Sequence, residues 1–269
     1  MITASVVLYN TKPQYILDLL DSFKFYKKNY QLFIIDNSPT DKLKNMFNEQ
    51  VNYFHCPENK GFGHGHNIAI NLAININSNY HLIINPDISF KEDIITPMIE
   101  LLLKDKNIGI IMPNILNSDG SIQFLPKLLP SPLSLVIRKI GFSQYFFKKF
   151  LIKYEFRKFL SNKIYNVPII SGCFSILNIE AIKNVGTFDE QFFLYFEDWD
   201  LSRRLNSKYK NIFFPKVTVY HSYASEANHK FKFLLIYIKS AIIYFNKWGW
   251  FFDSERKKIN KKTLLQIEN

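Results

Sequence analysis

Apolar and polar residues alternate in blocks through the first hundred positions of the chain. Short runs of apolar, mostly β-branched residues predict four buried strands: Ile2 to Leu8, Leu32 to Ile35, Val51 to Phe54 and Leu82 to Ile84. Apolar residues at helical spacing predict the helices between them: one that begins near Pro13, then Ile68 to Ile76 and Ile94 to Leu103. This alternation predicts an α/β fold with a mainly parallel sheet flanked by helices.

The pattern is less regular after residue 104. The predicted elements are a strand at Ile108 to Pro113, a hairpin turn at Asn117 to Gly120, a strand pair or bent strand at Val167 to Leu177, a helix at Glu180 to Asn184, and a strand at Ile212 to Tyr220 broken by Pro215. Residues 133–165 are rich in Phe, Lys, Leu and Ile, which predicts one or two basic amphipathic helices in an insertion at about 130–165.

The end of the chain changes character, which predicts a main domain over residues 1–222 and a C-terminal helical segment over residues 223–269. Aromatic residues such as Trp248, Trp250 and Phe251 alternate with lysines and precede Arg256-Lys257-Lys258. An aromatic and basic helix of this kind is typical of segments that lie in a membrane interface. The alternative is a helix that docks on the domain through its apolar face, and the sequence leaves both open.

Composition narrows the classes of partner and compartment. The 269 residues carry a net charge of +11, which favours an anionic partner such as nucleic acid, an acidic membrane surface or a phosphorylated ligand. The sequence has no arginine-rich run and no zinc-ligand spacing, the patterns that would indicate nucleic-acid binding. Two widely separated cysteines, Cys56 and Cys173, fit a reducing compartment. Without a signal-peptide pattern or an apolar run of about 20 residues, we expect a cytosolic protein or one attached to the cytosolic side of a membrane.

Polar residues follow the predicted strands at the positions where ligands bind in parallel sheets. They are Tyr9 and Asn10, Asp36 and Asn37, and Asn85 with Asp87. We expect them to gather along one edge of the sheet. A carboxylate there can hold Mg²⁺ against a diphosphate, although a proline-containing turn that ends a strand is the simpler explanation of Asn85-Pro86-Asp87.

A glycine-rich stretch, Glu58 to Asn67, is predicted to form a loop before a helix. It would let the backbone approach a ligand and present amide groups at a helix start, but it matches no dinucleotide or phosphate-loop motif. His64 and His66 alternate in this stretch, although loop histidines are more often not metal ligands. His221, after the last strand, is either a metal ligand beside Asp87 or a structural histidine.

Aromatic residues run directly into carboxylates and then arginines from Phe192 to Arg204. An apolar wall raises a carboxylate's pKa and nearby cations lower it, which is how proteins tune a general base. The alternative is the N-terminus of a surface helix, where the helix dipole favours acidic residues. The two interpretations are equally consistent with this segment alone.

In combination, these segments resemble the family 2 glycosyltransferases of the GT-A fold. The resemblance extends to the rhamnosyltransferase-like members that build lipopolysaccharide O-antigen and other cell-surface polysaccharides. The residues that carry it follow the family's order across about residues 1–222: Val6 to Asn10, Ile35 to Ser38, Glu58 to Gly63, Asn85 to Asp87, Ser171 to Phe174, Gly186 to Glu190, Phe193 to Asp198 and Val219 to His221.

The resemblance implies roles for individual residues. The nucleotide sugar would be bound by Tyr9, Asn10, Asp36, Asn59, Gly61, Asn85 and Asp87. A divalent cation, Mg²⁺ or Mn²⁺, would be held by Asp87 and His221, while the first carboxylate of the usual DXD-type motif is replaced by Asn85. Asp198 would be the general base, and Glu197 and Trp199 would contact the acceptor.

The resemblance also implies an activity. We expect an inverting transfer of a sugar, rhamnose from dTDP-rhamnose, to a hydroxyl of an oligosaccharide carried on a polyprenyl diphosphate. The enzyme would work at an anionic membrane surface, peripheral on the inner face of the cytoplasmic membrane. A UDP-hexose-dependent transferase of the same pathway is one alternative, and a catalytically silent nucleotide-sugar-binding module is another. No nucleic-acid partner is expected, and the oligomeric state is not predicted.

Overall fold

The computed structural model describes residues 1–49, 51–139, 147–157, 163–222 and 230–268. The strands described are β1 (Ile2–Leu8), β2 (Gln31–Asp36), β3 (Val51–His55), β4 (Tyr80–Ile84), β5 (Ile88–Ser89), β6 (Ile108–Leu116), β7 (Tyr165–Asn166), β8 (Phe174–Asn178) and β9 (Lys210–His221). The α-helices described are α1 (Pro13–Phe23), α2 (Phe62–Asn75), α3 (Ile95–Lys104), α4 (Pro132–Lys139), α5 (Lys148–Tyr154), α6 (Ile179–Val185), α7 (Glu197–Asn206), α8 (Lys230–Trp248) and α9 (Ser254–Glu268).

The strands form one sheet in the order β3-β2-β1-β4-β8-β6-β9-β5, and β7 pairs with β9 beside this path. Neighbours from β3 to β4 are parallel, as are β6 and β9, whereas β8 runs antiparallel to both β4 and β6. The predicted α/β fold is confirmed, and its main parallel part is the half of the sheet that runs from β3 to β4.

Alternate residues of the buried strands pack into two apolar layers. Leu82 and Ile84 of β4 belong to the layer that includes α1 and α3, while Ile83 between them belongs to the layer that includes α2, α6 and α7. Both faces of the sheet are therefore covered by helices. This is why the central strands appear in the sequence as continuous apolar runs rather than as alternating patterns.

Helix α2 begins earlier than the sequence predicts. A loop was expected from Glu58 to Asn67, but the chain is helical from Phe62. Glycine is usually unfavourable inside a helix, which is why the pattern predicted a loop. Here the missing side chains let the helix approach its neighbours, because a Cβ on Gly65 would lie 2.8 Å from a methyl group of Val7. Close packing against β1 therefore outweighs helix propensity.

Two strand predictions also differ from the structure. From Val167 to Leu177 only the part from Phe174 onward is a strand, and the preceding residues run as irregular chain. Strand β9 is continuous through Pro215, but its pairing with β6 skips from Phe214 to Thr218. The proline lies in that bulge, where no ladder hydrogen bond is required of it.

The insertion is described in part. The predicted basic helices correspond to α4 and α5, while residues 140–146 and 158–162 lie outside the described residues. The turn predicted at Asn117 to Gly120 is confirmed, since the N–H of Gly120 donates to the Asn117 carbonyl at 2.9 Å. It returns the chain antiparallel to the end of β6 through a bridge between Leu116 and Ile122.

The C-terminal helices pack against α7 through buried polar and aromatic contacts. Arg203 donates from both Nη1 and Nη2 to Asp253 at 2.7 Å, and both side chains are 3% exposed. The Arg203 guanidinium also lies 4.3 Å from the ring centre of Trp248. A bidentate pair of this kind is geometrically specific, so it fixes the link between α8 and α9 on α7. Among the described helices, none combines the length and hydropathy needed to cross a bilayer.

Candidate active site

Three neighbouring parallel strands, β2, β1 and β4, end at one edge of the sheet, and the turns that follow β1 and β2 are joined. The N–H of Asn37 donates to the Leu8 carbonyl at 2.9 Å, and the N–H of Asn10 donates to Ser38 Oγ at 2.9 Å. Asn10 adopts a φ of 48°, a left-handed conformation that asparagine tolerates better than most residues. Tyr9 beside it is exposed. The sequence-predicted residues after β1 and β2 therefore share this edge.

Asp36, the last residue of β2, is buried and held by two hydrogen bonds. Its Oδ1 accepts from the N–H of Ser38 at 2.9 Å, and its Oδ2 accepts from the Tyr53 hydroxyl at 2.7 Å. Burial, and then the hydrogen bond to Asp36, raise the pKa of the Tyr53 phenol, so it remains a donor. Each carboxylate oxygen thus accepts one hydrogen bond from the protein, which fixes the orientation of Asp36 at the end of β2.

The loop before α2 lies directly against the backbone of the acidic stretch. The N–H of Phe62 donates to the Phe193 carbonyl at 2.9 Å. Gly61 has a φ of 109°, and a Cβ there would overlap the same carbonyl oxygen. Asn59, with a φ of 42°, accepts from the N–H of Gly61 at 3.3 Å. The structure thus places the loop predicted to bind the donor beside the stretch predicted to carry the base.

Asp87 and His221 come together from the end of β4 and the end of β9. His221 Nε2 lies 3.3 Å from Asp87 Oδ1 and 3.5 Å from Asn85 Nδ2. On the other side of the ring, His221 Nδ1 lies 3.0 Å from Gln123 Oε1. The Gln123 amide nitrogen donates to Asn117 Oδ1 and to the His221 carbonyl, which fixes the oxygen toward Nδ1. Nδ1 therefore carries the proton that it donates to Gln123, and Nε2 faces Asp87, the arrangement of a ligating histidine.

These two side chains would supply few ligands to a metal ion. Among the described residues, no three or more histidine, cysteine, aspartate or glutamate side chains form a group that could hold a metal ion. Hard divalent cations accept one or two carboxylates and complete their shell with water and substrate phosphates. Asp87 and His221 therefore fit a cation whose remaining ligands come from a bound diphosphate.

A single tripeptide, Ser171 to Cys173, links the residues at the end of β4 to the acidic stretch. The N–H of Asn85 donates to the Cys173 carbonyl at 2.8 Å, and the N–H of Gly172 donates to Asp198 Oδ2 at 3.0 Å. Burial raises the pKa of the Cys173 thiol to about 12, and the charges of Asp87 and Asp198 both contribute to the rise. The thiol thus experiences both carboxylates, which places Asp87 and Asp198 near this segment.

Glu197 and Asp198 occupy the first turn of α7 in different surroundings. Burial raises the pKa of Asp198 to about 6, while the N–H groups of Gly172 and Trp199 act in the opposite direction. Glu197 is 4% exposed, and burial followed by the charge of Asp198 raises its pKa well above the usual range. Its Oε2 has no hydrogen-bond partner among the described residues. One carboxyl is therefore held neutral beside another that ionises near neutral pH, a pattern of acid–base sites.

Lys127 is a buried cation that the sequence did not single out. Its Nζ donates to the carbonyls of Phe124 and Leu125 at 3.0 and 3.1 Å. Burial lowers the pKa of Lys127 to about 8, and the charge of Asp198 works against that fall. The same interaction lowers the pKa of Asp198, so the lysine limits how far burial can raise it.

The backbone before the carboxylate pair is strained. Tyr195 and Phe196 both adopt a φ of 70°, a left-handed conformation that costs a bulky residue about 1–3 kcal/mol. Phe196 is buried, and its ring centre lies 4.6 Å from that of Trp199, which is half-buried. Strain of this kind persists only where the surrounding packing determines it. The turn sets the direction in which α7 presents Glu197 and Asp198.

The remaining charged residues of the acidic stretch are structural. Asp200 is fully buried, accepts from Arg204 Nε at 2.8 Å and from Trp248 Nε1 at 2.8 Å, and lies 2.9 Å from Lys247 Nζ. Arg204 also donates to the carbonyl of Thr187 at 2.7 Å. These contacts connect the end of α7 to α8 and to the chain that follows α6.

His64 and His66 do not converge on a common site. His66 is fully buried in α2 with Nδ1 at 2.7 Å from Ser5 Oγ, and burial lowers its pKa well below the usual value. His64 Nδ1 lies 2.8 Å from Glu190 Oε2. The alternation that suggested a metal site places the two rings in different environments on the helix.

The fold and the carboxylates at its strand ends define a glycosyltransferase of the GT-A type. The sequence profile described as "Glycosyl transferase family 2" matches residues 3–186, about two thirds of the chain. The chain belongs to this family.

Two curated relatives are similar over most of the chain. The rhamnosyltransferase WbbL of Escherichia coli K12 is 23% identical over 98% of this chain and 95% of its own length. The low-salt glycan biosynthesis hexosyltransferase Agl10 of Haloferax volcanii is 23% identical over 77% of this chain, which covers 63% of that protein's length. They are consistent with hexosyl or rhamnosyl transfer as the general activity.

Solved structures share the fold at low sequence identity. A structure of GalNAc-T7 with UDP, GalNAc and Mn²⁺ has a TM-score of 0.60 at 15% identity, covering 84% of this chain and 44% of that one. The mannosyltransferase PcManGT of Pyrobaculum calidifontis, with GDP-Man and Mn²⁺, has a TM-score of 0.59 at 15% identity, covering 90% of this chain and 64% of that one. The chain thus spans about half to two thirds of these proteins, and the likeness establishes the GT-A fold.

Gly61 provides a direct test of the contact between the loop and the acidic stretch. We expect Gly61→Ala to lower the free energy of unfolding by at least about 3 kcal/mol and to abolish nucleotide binding, because the new Cβ meets backbone that cannot move aside. The matched control is Gly120→Ala, which has a φ of 83° with nothing within 4 Å of its Cβ. That change should cost only the left-handed backbone, about 1–2 kcal/mol. Urea unfolding and calorimetry with UDP and dTDP measure both variants, and equal losses would contradict the close-contact explanation.

Proposed function

We propose that this chain is an inverting glycosyltransferase whose base is Asp198 and whose donor is a nucleotide-diphosphate sugar. The observation that supports it most is the Ser171 to Cys173 segment, which contacts the backbone at Asn85 on one side and the Asp198 carboxylate on the other. The groups proposed to bind the donor and to accept the proton therefore contact one short segment of the chain. This is the arrangement that a single displacement at a sugar carbon requires.

The reaction proposed is one displacement at the anomeric carbon. Asp198 accepts the proton of the acceptor hydroxyl, the hydroxyl oxygen bonds to the anomeric carbon, and the bond to the nucleotide diphosphate breaks on the opposite face. The configuration inverts, and the electron pair leaves on the diphosphate. Neutral Glu197 would donate a hydrogen bond to the acceptor sugar, and Trp199 would contact it. Asp36, Asn59 and Gly61 would hold the nucleoside, together with Tyr9, Asn10 and Asn85.

A divalent cation fits the pair formed by Asp87 and His221, since Gln123 leaves Nε2 facing the carboxylate. When bound, it would offset the charge of the leaving diphosphate. Both similar structures that contain Mn²⁺ contain it with a nucleotide or nucleotide sugar. The donor proposed is dTDP-rhamnose, in line with the name of the E. coli relative. A hexose donor such as a UDP-hexose is the second candidate, in line with the name of the H. volcanii relative.

The acceptor proposed is an oligosaccharide on a polyprenyl diphosphate, reached at the inner face of the cytoplasmic membrane. The outer side of α8 exposes an apolar stripe at helical spacing: Phe231, Leu234, Leu235, Ile238 and Ile242. Phe251 and Phe252 follow at 72% and 97% exposure, and Lys232 and Lys239 are exposed beside the stripe. Apolar side chains flanked by cations suit an anionic bilayer surface.

Asp198→Asn tests the base. We expect turnover to fall by about 10²–10⁴-fold while affinity for the nucleotide stays within twofold, because the amide keeps the shape and cannot accept the proton. Asp21→Asn, on the exposed face of α1, is the control and should leave both unchanged. In the wild type, the rate should rise with pH through about 6, because only the ionised carboxylate is a base. Wild-type turnover in Asp198→Asn would refute the assignment.

Asp87→Asn tests the donor and metal site. Binding of dTDP-, UDP- and GDP-sugars is measured by calorimetry with Mg²⁺, with Mn²⁺ and with EDTA. We expect one nucleotide class to bind at least tenfold more tightly with a cation than with EDTA, because the cation offsets the diphosphate charge. That difference should disappear in Asp87→Asn and persist in Asp21→Asn. A cation effect that survives in Asp87→Asn would place the metal elsewhere.

Sedimentation with lipid vesicles tests the membrane surface. We expect binding to phosphatidylcholine vesicles that contain phosphatidylglycerol, weakened by high salt, because cations flank the exposed aromatic residues. The double variant Phe251→Ser with Phe252→Ser should bind at least tenfold more weakly. Leu103→Ser, at a 55%-exposed position on α3, is the control and should bind as the wild type does. Undiminished binding by the double variant would contradict the proposed surface.

A further inference from the structure

The inner side of α8 lies against the turn that precedes the carboxylate pair. The Tyr237 ring centre is 5.7 Å from that of Tyr195 and 5.1 Å from that of Phe196. The Tyr244 ring centre lies 5.5 Å from that of Phe196, and Tyr244 is fully buried. Two aromatic residues two helical turns apart on α8 therefore pack against the same turn of the acidic stretch.

The same helix also binds the backbone of that turn. Ser240 Oγ donates to the Leu194 carbonyl at 2.8 Å, and Ser240 is 2% exposed. On the opposite side, the Phe193 carbonyl is held by the N–H of Phe62. Residues 193–196 thus lie between the start of α2 and α8. The start of α2 donates a hydrogen bond to the Phe193 carbonyl, and α8 donates one to the next carbonyl, that of Leu194.

A left-handed pair of aromatic residues does not hold its conformation without such contacts. Phe196 precedes Glu197 directly, so its backbone angles determine where the first turn of α7 points. A small rotation there would move Asp198 away from a reacting hydroxyl. Misplacement by about 1 Å can cost on the order of 10²-fold in rate.

We propose that Tyr237, Ser240 and Tyr244 of α8 are positioning residues for Glu197 and Asp198. The proposal rests on the proposed function, since it assigns these residues to the orientation of its base. The C-terminal helix thereby belongs to the catalytic apparatus, although none of the three residues is assigned contact with substrate. Its inner side orients the base, while its outer side is the surface proposed to meet the bilayer.

A contribution of α8 to stability alone can be distinguished by experiment from a positioning role. The helix is also attached near its C-terminal end, where Trp248 donates to Asp200 and Arg203 pairs with Asp253. Removing one hydroxyl at Ser240, or one ring at Tyr237, leaves those attachments in place. A purely structural helix would then tolerate the changes in proportion to its loss of stability, whereas a positioning helix would lose turnover with nucleotide affinity retained.

The test compares Tyr237→Ala, Tyr237→Phe and Ser240→Ala with Leu103→Ala, at a position on α3 that is 55% exposed and far from α8 in sequence. The donor probe is dTDP-rhamnose, replaced by the UDP- or GDP-sugar if the binding screen selects one, and the variants are assayed in solution without vesicles. We expect kcat to fall at least tenfold in Tyr237→Ala and at least threefold in Ser240→Ala. Nucleotide affinity should stay within twofold. Tyr237→Phe, which keeps the ring, should retain most of the activity, and Leu103→Ala should match the wild type.

Ser240→Ala keeps the test decisive if Tyr237→Ala does not fold, because it removes a single hydroxyl. Wild-type kcat in Ser240→Ala and in whichever Tyr237 variants fold would overturn the proposal. So would a fall in nucleotide affinity as large as the fall in kcat. If the wild type is active and Asp198→Asn is not, a failure concerns the positioning role alone. If Asp198→Asn is fully active, the proposed function itself fails.

Discussion

The hydrogen bond from the Phe62 N–H to the Phe193 carbonyl is the contact on which the rest of the site depends. It joins the start of α2 to the acidic stretch by backbone atoms alone, and the missing side chain at Gly61 makes the approach possible. Backbone contacts fix the relative position of two segments more tightly than contacts between flexible side chains do. The distance between the loop before α2, the candidate nucleotide-binding loop, and the carboxylate pair is consequently set by the fold, as electrostatic preorganisation requires.

The acidic stretch supports two descriptions that the sequence alone sets against each other. It is the N-terminus of a helix, with three carboxylates in the first turn and two arginines in the last, the distribution that the helix dipole favours. It is also a site in which neighbouring carboxyls have different tasks. Asp200 is committed to Arg204, Trp248 and Lys247, whereas Glu197 Oε2 has no partner among the described residues. The structural carboxylate anchors the helix that presents the candidate catalytic ones.

Local pattern was sufficient for the α/β class and for the four strands β1 to β4. Asp36 and Asp87 were singled out because each lies at or just after the end of such a strand, whereas Asp198 was chosen as the candidate base only through the family resemblance. Gln123 was not singled out, because it meets His221 across 98 positions of sequence and its own segment carries no periodic signal. The same is true of the contact between Tyr237 and the turn at Tyr195, since nothing local to either residue encodes it. The helical start at Phe62 was missed because two glycines oppose helix formation until packing against β1 is known.

The raised pKa of Asp198 reflects a balance rather than burial alone. Burial by itself would keep the acid protonated, and a protonated acid cannot accept a proton. Two backbone N–H donors and the charge of Lys127 act in the opposite direction and bring the pKa to about 6. Since neither donor is a side chain, substitution cannot remove them without moving the chain. The candidate base is thus buried and still ionises near neutral pH. Aromatic residues of α8 pack against the turn that precedes it, so part of the high aromatic content of the sequence, 16%, lies at the candidate site as well as in the core.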